Sequence, residues 1–480
     1  MKKHFFNLFV ATFLFVSNVF AQNTLHYMPI HQIIGRNPAF QSEYRLFIGI
    51  PVLNSINLGL STDIAWNDVF TRGTGAYKDS LLFDLENVEN RLATNNYVKF
   101  NFDVSLLAFG FWIRENYFSF DISNRTFYRL RYPRDPFTFV MKGNAAFVGE
   151  GNAADLGNWL INTTNYTEIA FGLSRKIADG LIIGGRLKYL RGTACLETEN
   201  SSMKIYTYDD NGQYALKVVS EGKYRASFPV KIFRQHVDET ISDIDSIKIE
   251  EDEIENNYTS NFLGNNNHGF AVDLGATYEY GIKWQFSASI TDFGFINWQS
   301  NPLTLEQKGT FNFDGVAIDS LFNEFKGKKR TGYAKMYQDS LEKAITIADD
   351  STNFTSWLPS SIYVGAMYKF TPSTNIALLS RTDYYDKGFH PTFTFSFNTK
   401  LNTRLSASFT YSYLNNNFEY FGTVGMGFTL RLGCFQWYIA SDNALAPLFP
   451  KAVTGYNLHF GMNLVFPHKT DYTLEPKFDF

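Results

Sequence analysis

The densest set of reactive groups in this 480-residue chain is acidic: between Asp238 and Glu255 stand nine carboxylates and a single lysine. Clustered carboxylate oxygens are what a hard cation such as calcium takes, but this spacing matches no ligand loop. The run reads as a solvated loop. Asp292-Phe293-Gly294 spells the metal-binding triplet of protein kinases, yet neither a catalytic-loop partner nor a glycine-rich phosphate loop accompanies it, so it reads as a coincidence of composition. The histidines are scattered, and His26 with His31 is not a ligand spacing on any regular element. No serine occupies a nucleophile elbow and no Cys-x-x-Cys occurs. The expectation is a protein that is not an enzyme, with no metal and no cofactor.

A second set of charges has a different pattern. Asp103, Arg186, Lys188, Asp273, Glu279, Lys283, Arg381, Asp383 and Arg404 fall on the polar faces, or at the ends, of segments that alternate apolar and polar residues. Their signs are nearly balanced. Charges removed from water persist by pairing, so the set reads as a cross-strand salt-bridge lattice filling a narrow lumen. The alternative is an ion-selective path.

The elements that carry these residues are strands. Phe393, Phe395 and Phe397 interleave with Thr392, Thr394, Ser396 and Asn398, and Leu405, Ala407, Phe409, Tyr411 and Tyr413 with Arg404, Ser406, Ser408, Thr410 and Ser412. Period two is a strand signal. Each strand has about the ten residues needed to cross a hydrocarbon layer at a tilt, with one large aromatic face and one small hydroxyl face. Hydrophobic residues make up 45% of the chain and aromatic residues 17%, with 48 Phe and 28 Tyr. That is much aromatic surface for water to tolerate, and after the N-terminal run no apolar stretch reaches the roughly 18 residues of a membrane helix. A lipid-facing barrel uses such a surface. A soluble secreted β protein is the structural alternative. The net charge of -4 gives no sign of a nucleic-acid partner.

The spacing predicts an all-β chain: a transmembrane antiparallel β-barrel of about 14 strands (range 12–16) with a short N-terminal plug-like segment. Residues 1–21 have a basic start (Lys2, Lys3, His4) and an apolar run from Phe5 to Phe20, the pattern of a cleavable signal peptide, the alternative being a single membrane anchor. Residues 22–44 form a plug or lead-in, 45–466 the barrel, and 467–480 a tail. Long outer loops are expected at 65–96, 131–163, 196–267 and 294–358. The first contains a short helix through Leu81, Leu82, Leu85, Val88 and Leu92, and the last a helix through Tyr333, Met336, Tyr337, Leu341, Ala344 and Ile345. Connections after even-numbered strands are short and those after strands 1, 3, 5 and 7 long, the asymmetry between periplasmic turns and outer loops. Cys195 and Cys434 either pair or stay separate.

The predicted signal peptide, Asn37-Pro38-Ala39 before the first strand, the fourteen strands and Trp357-Leu358-Pro359 leading into strand eight together resemble the long-chain fatty acid transporter superfamily of outer-membrane barrels. Within it the chain is most similar to Bacteroidota-type barrels related to type IX secretion and gliding proteins. The resemblance implies a plug, to which Asn37, Pro38 and Ala39 would belong, and an exit for hydrophobic ligands through the barrel wall. The substrate-contacting residues of the transporters have no match here.

Two functions are therefore expected, both for a protein of the cell outer membrane in contact with its lipid. One is transport of a small hydrophobic compound. The other is a non-transporting barrel whose loops dock a secreted or surface protein, as a type IX secretion or gliding accessory.

Overall fold

Alternation of large apolar and small polar side chains gives a wall with two unlike faces, and the computed structural model closes that wall on itself. It describes residues 23–149, 152–210, 213–228, 230–238, 241–249, 266–313, 345–414 and 422–467. Strand β1 comes in two pieces, Leu46–Gly49 and Ile56–Thr62, both lying between the same two neighbours. Then follow β2 (Asn95–Ile113), β3 (Asn116–Pro133), β4 (Leu160–Ala178), β5 (Leu181–Asp210), β6 (His268–Tyr280) and β7 (Trp284–Trp298). Strand β8 is again split, into Phe354–Trp357 and Ser360–Lys369, both pieces paired with β7. The ring continues through β9 (Thr374–Tyr385), β10 (Gly388–Lys400), β11 (Leu405–Leu414), β12 (Thr423–Leu432), β13 (Phe435–Ser441) and β14 (Gly455–Phe466).

Each strand pairs antiparallel with the next, and β14 pairs back onto β1, so Leu46 faces Phe466 and Ile56 faces Phe460. Fourteen strands close the ring. Closure is a physical requirement in lipid, where each unpaired backbone group costs several kcal/mol. Along β10 the two faces separate cleanly. Phe393 is 54% exposed on the outside, whereas Thr392, Thr394, Ser396 and Asn398 are buried on the inside. The outward face carries large apolar residues on nearly every strand, among them Phe171, Leu187, Phe270, Leu378 and Ile439. No helix among the described residues is long and apolar enough to cross a membrane.

All six turns after even-numbered strands are short, from Arg114-Glu115 to Gly433-Cys434. Arg114, Gly180, Gly281 and Gly433 take positive φ in four of them. The opposite end carries the long connections, and there the sequence expectations need correction. In the 65–96 loop the helix spans only Leu85–Arg91, because Asp84 caps it by accepting a hydrogen bond from the Asn87 N–H at 3.0 Å. Leu81 and Leu82 instead lie in a strand, Leu81–Phe83, paired with Phe70–Arg72.

The 131–163 loop is shorter than expected, since β3 runs to Pro133 and β4 starts at Leu160; a helix, Asp135–Lys142, lies between them. The 196–267 region is largely strand: β5 is 30 residues long and returns as Gln213–Ser227, which pairs in turn with Pro302–Phe313. The acidic run, read as a solvated loop, has Ile241–Ile249 in a two-stranded sheet with Val230–Asp238. In the 294–358 region Ile345 begins a strand, Ile345–Asp350, and is not helical; Tyr333, Met336, Tyr337, Leu341 and Ala344 lie outside the described residues. Long period-two strands were hidden there by polar composition. Cys195, which is buried, and Cys434 are both unpaired.

Candidate functional site

The lumen is crossed by the segment that precedes β1. Pro29, Gly35 and Pro38 leave no room for a long helix, and the chain instead makes two 3-10 turns, Thr24–Tyr27 and His31–Gly35. Several of its polar groups bond to the barrel wall. The Asn23 amide donates to Thr394 Oγ1 at 2.7 Å, the Thr24 N–H donates to Asp442 at 2.8 Å, and His31 Nδ1 lies 2.8 Å from the Tyr117 hydroxyl. Gln32 donates to the Asn54 carbonyl at 2.9 Å, and the Pro29 carbonyl accepts from Gln436 at 3.1 Å.

At Asn37-Pro38-Ala39 the backbone of this segment packs against the wall between β5, β6 and β7. The Asn37 side chain accepts from the Ala39 N–H at 2.9 Å and donates to the carbonyls of Ala276 on β6 and Ala288 on β7, both at 3.3 Å. Asn37 and Ala39 are fully buried. Gly184 on β5 and Gly275 on β6 make the approach possible. A side chain at Gly275 would meet the Asn37 amide and Pro38, and one at Gly184 would meet the Pro38 carbonyl.

Toward the long-loop end from this contact lies a cluster of charges. Lys188 Nζ is 2.6 Å from Asp292, 2.8 Å from Asp273 and 3.6 Å from Glu168. Arg186 bridges Glu168 and Asp273 at 3.4 Å each, and Arg125 bridges Glu168 at 3.3 Å and Asp292 at 3.2 Å. Three cations meet three anions, and the low-dielectric interior makes each bond matter. Of the charges named from sequence, Arg186, Lys188 and Asp273 meet here. Asp103 lies beside them, accepting from Asn57 at 2.8 Å and sharing a chamber of about 100 Å3 with Arg36 and Arg125. Arg381 and Asp383 form a separate pair at 2.9 Å. Glu279, Lys283 and Arg404 are exposed at the short-turn rim, where Glu279 pairs with Lys369 at 2.7 Å.

Sequence reasoning missed Arg125, Glu168 and Asp292. The first two sit on lumen faces of β3 and β4 and were open to the same alternation argument. Asp292 was not. A β-bulge opposite Asp273 breaks the period, Asp292 takes a φ of 59°, and its carboxylate turns inward while its N–H donates to Asp273 at 2.7 Å.

Toward the short turns, the N-terminal segment roofs a cavity of about 830 Å3. Met28, Ile33, Phe40, Trp112, Ile182 and Met367 line it, and Lys283, Lys369 and Lys400 with Glu43 and Glu279 stand at its rim. Above the cavity His26 is fully buried among the rings of Tyr27, Phe40 and Tyr363. Of the described strands of the ring, β13 is the shortest. Strand β13 stops at Ser441, and beyond it the loop bridges β12 to β14 through the Ala444 N–H to the Val424 carbonyl at 2.8 Å and the Asn443 amide to the Gly455 carbonyl at 3.0 Å.

Outside the barrel, the loop helices are joined by Glu89, buried, which accepts from Lys142 at 2.7 Å and from Thr138 at 2.9 Å. The Lys142 hydrogen bond holds the Glu89 carboxyl below the ordinary glutamate range; burial opposes the shift and the Thr138 bond adds to it.

A sequence model described as a family of unknown function, DUF5723, matches residues 38–442. No curated protein matches the chain. Among solved structures, the toluene transporter TbuX of Ralstonia pickettii is 10% identical, with 94% of this chain and 95% of that chain covered and a TM-score of 0.40. A FadL homologue of Pseudomonas aeruginosa is 9% identical, with 94% and 99% covered and a TM-score of 0.39. The toluene transporter TodX of Pseudomonas putida is 9% identical, with 94% of each chain covered and a TM-score of 0.36.

Proposed function

For a member of DUF5723, the family to which this chain belongs, we propose passage of a small hydrophobic compound across the outer membrane through a plugged barrel. The closed ring and its apolar outer face support a seat in the outer membrane, with the short turns toward the periplasm and the long connections outside. Residues 23–44 are the plug.

The observation that carries the reading is the cavity of about 830 Å3 beneath the plug. Its volume falls within the range of small-molecule sites, and a mixed lining, with an apolar patch of Met28, Ile33, Phe40, Trp112, Ile182 and Met367 among hydroxyl and amide side chains, suits an uncharged ligand with a large apolar part. The lattice around Lys188 occupies the lumen beside β3 to β7, and the plug covers the hydroxyl-rich faces of β10 and β11 through Asn23 with Thr394 and Thr24 with Thr410, so passage needs the plug to move. The protein-docking alternative is not carried further.

The test is binding of an apolar aromatic fluorophore by the purified barrel. Saturable binding is expected, and Ile182→Asp, which puts a carboxylate into the cavity lining, is expected to weaken it roughly tenfold, since a charge there costs at least the ~1.4 kcal/mol that a tenfold change represents. Absence of saturable binding, or equal binding by Ile182→Asp, contradicts the reading.

A further inference from the structure

We propose that the turn between β9 and β10 is a strap across the outer mouth that sets the size limit for what enters the lumen; this rests on the transport reading above. In a closed ring of fourteen strands, β9 and β2 are seven strands apart by either path, so they are facing walls. The tip of the β9–β10 hairpin nevertheless touches β2, β3 and β4.

The contacts are specific. Lys99 Nζ on β2 donates to the Tyr385 hydroxyl at 2.6 Å and stands 4.9 Å from the centre of that ring. The Arg129 guanidinium on β3 lies 4.2 Å over the same ring and binds Asp386 at 3.2 Å. The Asn162 amide on β4 donates to Asp386 at 3.1 Å. His390 stacks behind Tyr385 with ring centres 3.8 Å apart, which stiffens the hairpin side of the bridge. Three strands of one wall thus hold two residues of the other.

The turn itself is shaped for this contact. Asp386 and Lys387 have φ of 49° and 60°, the two positive values of a tight hairpin turn that Asn-Gly normally supplies. A lysine gains nothing locally from that conformation, so the cross-lumen contacts help to hold it. They do not satisfy everything they bury. Asp386 Oδ2 and Arg129 Nε have no hydrogen-bond partner among the described residues. A buried polar group left unpaired is costly, and opening the strap would return these atoms to water. The closure is therefore one that can be released.

A cysteine at Thr392 reads the strap directly. Thr392 faces the lumen on β10, two residues beyond His390, and is 4% exposed. In a Cys434→Ser background carrying Thr392→Cys, intact cells are treated with a membrane-impermeant stilbene-disulfonate maleimide. The strap variants are Tyr385→Ala with Asp386→Ala on one wall and, separately, Arg129→Met on the other, each verified as folded by heat-shifted gel migration. Both are expected to label roughly tenfold faster than the intact strap, the size of change expected when a mostly closed equilibrium shifts toward open. Thr371→Cys, at the short-turn end, is expected to stay unlabelled from outside in every variant. Equal labelling with and without the strap contacts, in folded barrels, overturns the proposal. The readout is access and needs no substrate, so it can fail while fluorophore binding succeeds, and the reverse.

Discussion

The Lys188 ammonium and the Asp292 carboxylate meet at 2.6 Å with the lysine side chain wholly enclosed. Asp292 reaches that position only because a bulge turns it inward, and Asp273 supports both partners, at 2.8 Å from Lys188 and by accepting the Asp292 N–H. Removing one partner of a buried pair leaves the other uncompensated. Lys188→Met is expected to cost about 3–5 kcal/mol, read as a lower urea midpoint for the barrel in lipid. Pairing it with Asp292→Asn is expected to recover part of the loss. No change in either variant would mean that water already reaches the cluster.

The plug should respond to a side chain placed where Gly275 admits it. Gly275→Val crowds the Asn37 amide and Pro38, and overpacking of this kind costs about 1–3 kcal/mol. Because the plug is held by fewer bonds than the wall, it should be the part that moves. The expected result is a barrel that still shows heat-shifted migration but leaks ions.

Asn37→Asp tests the same contact by charge. The amide donates to two carbonyl oxygens at 3.3 Å, and a carboxylate there would face both oxygens with no proton to offer. The 37–39 contact is expected to open and expose the bond after Arg36. Trypsin should then cut the folded variant at that position and leave the unaltered chain whole.

Outside the membrane the pH dependence has a definite sign. The Lys142 hydrogen bond lowers the Glu89 carboxyl below its ordinary value. The stabilisation is therefore complete above that ordinary value, about 4.3, and is lost as the pH falls through the lowered one. Limited proteolysis of the 135–142 helix should be flat from neutral pH to about 5 and accelerate only below about 4. Lys142→Met should increase cleavage at neutral pH and flatten that response.

How much of this was legible depended on whether a signal was local. Period two in Thr392–Asn398 gave β10 because lipid and lumen demand opposite residues on alternate positions. Strand count and turn asymmetry followed from the same rule. Beyond the membrane no such demand operates, so β5 past Cys195 and its return, Gln213–Ser227, carry mixed faces that read as loop. Asp292 was hidden because a bulge breaks the very period used to find lumen residues. Asp386 was hidden because its partners, Arg129 and Asn162, are 257 and 224 positions away in sequence and across the lumen in space.

Planar-bilayer conductance of the folded barrel, with and without residues 22–44, tests the central claim most directly. The account predicts a closed full-length protein and steady channels from the shortened one, since the plug spans the open half of the lumen and the strap admits ions. Channels of equal size from both, or none from either in protein verified as folded, would contradict a transport path closed by the plug.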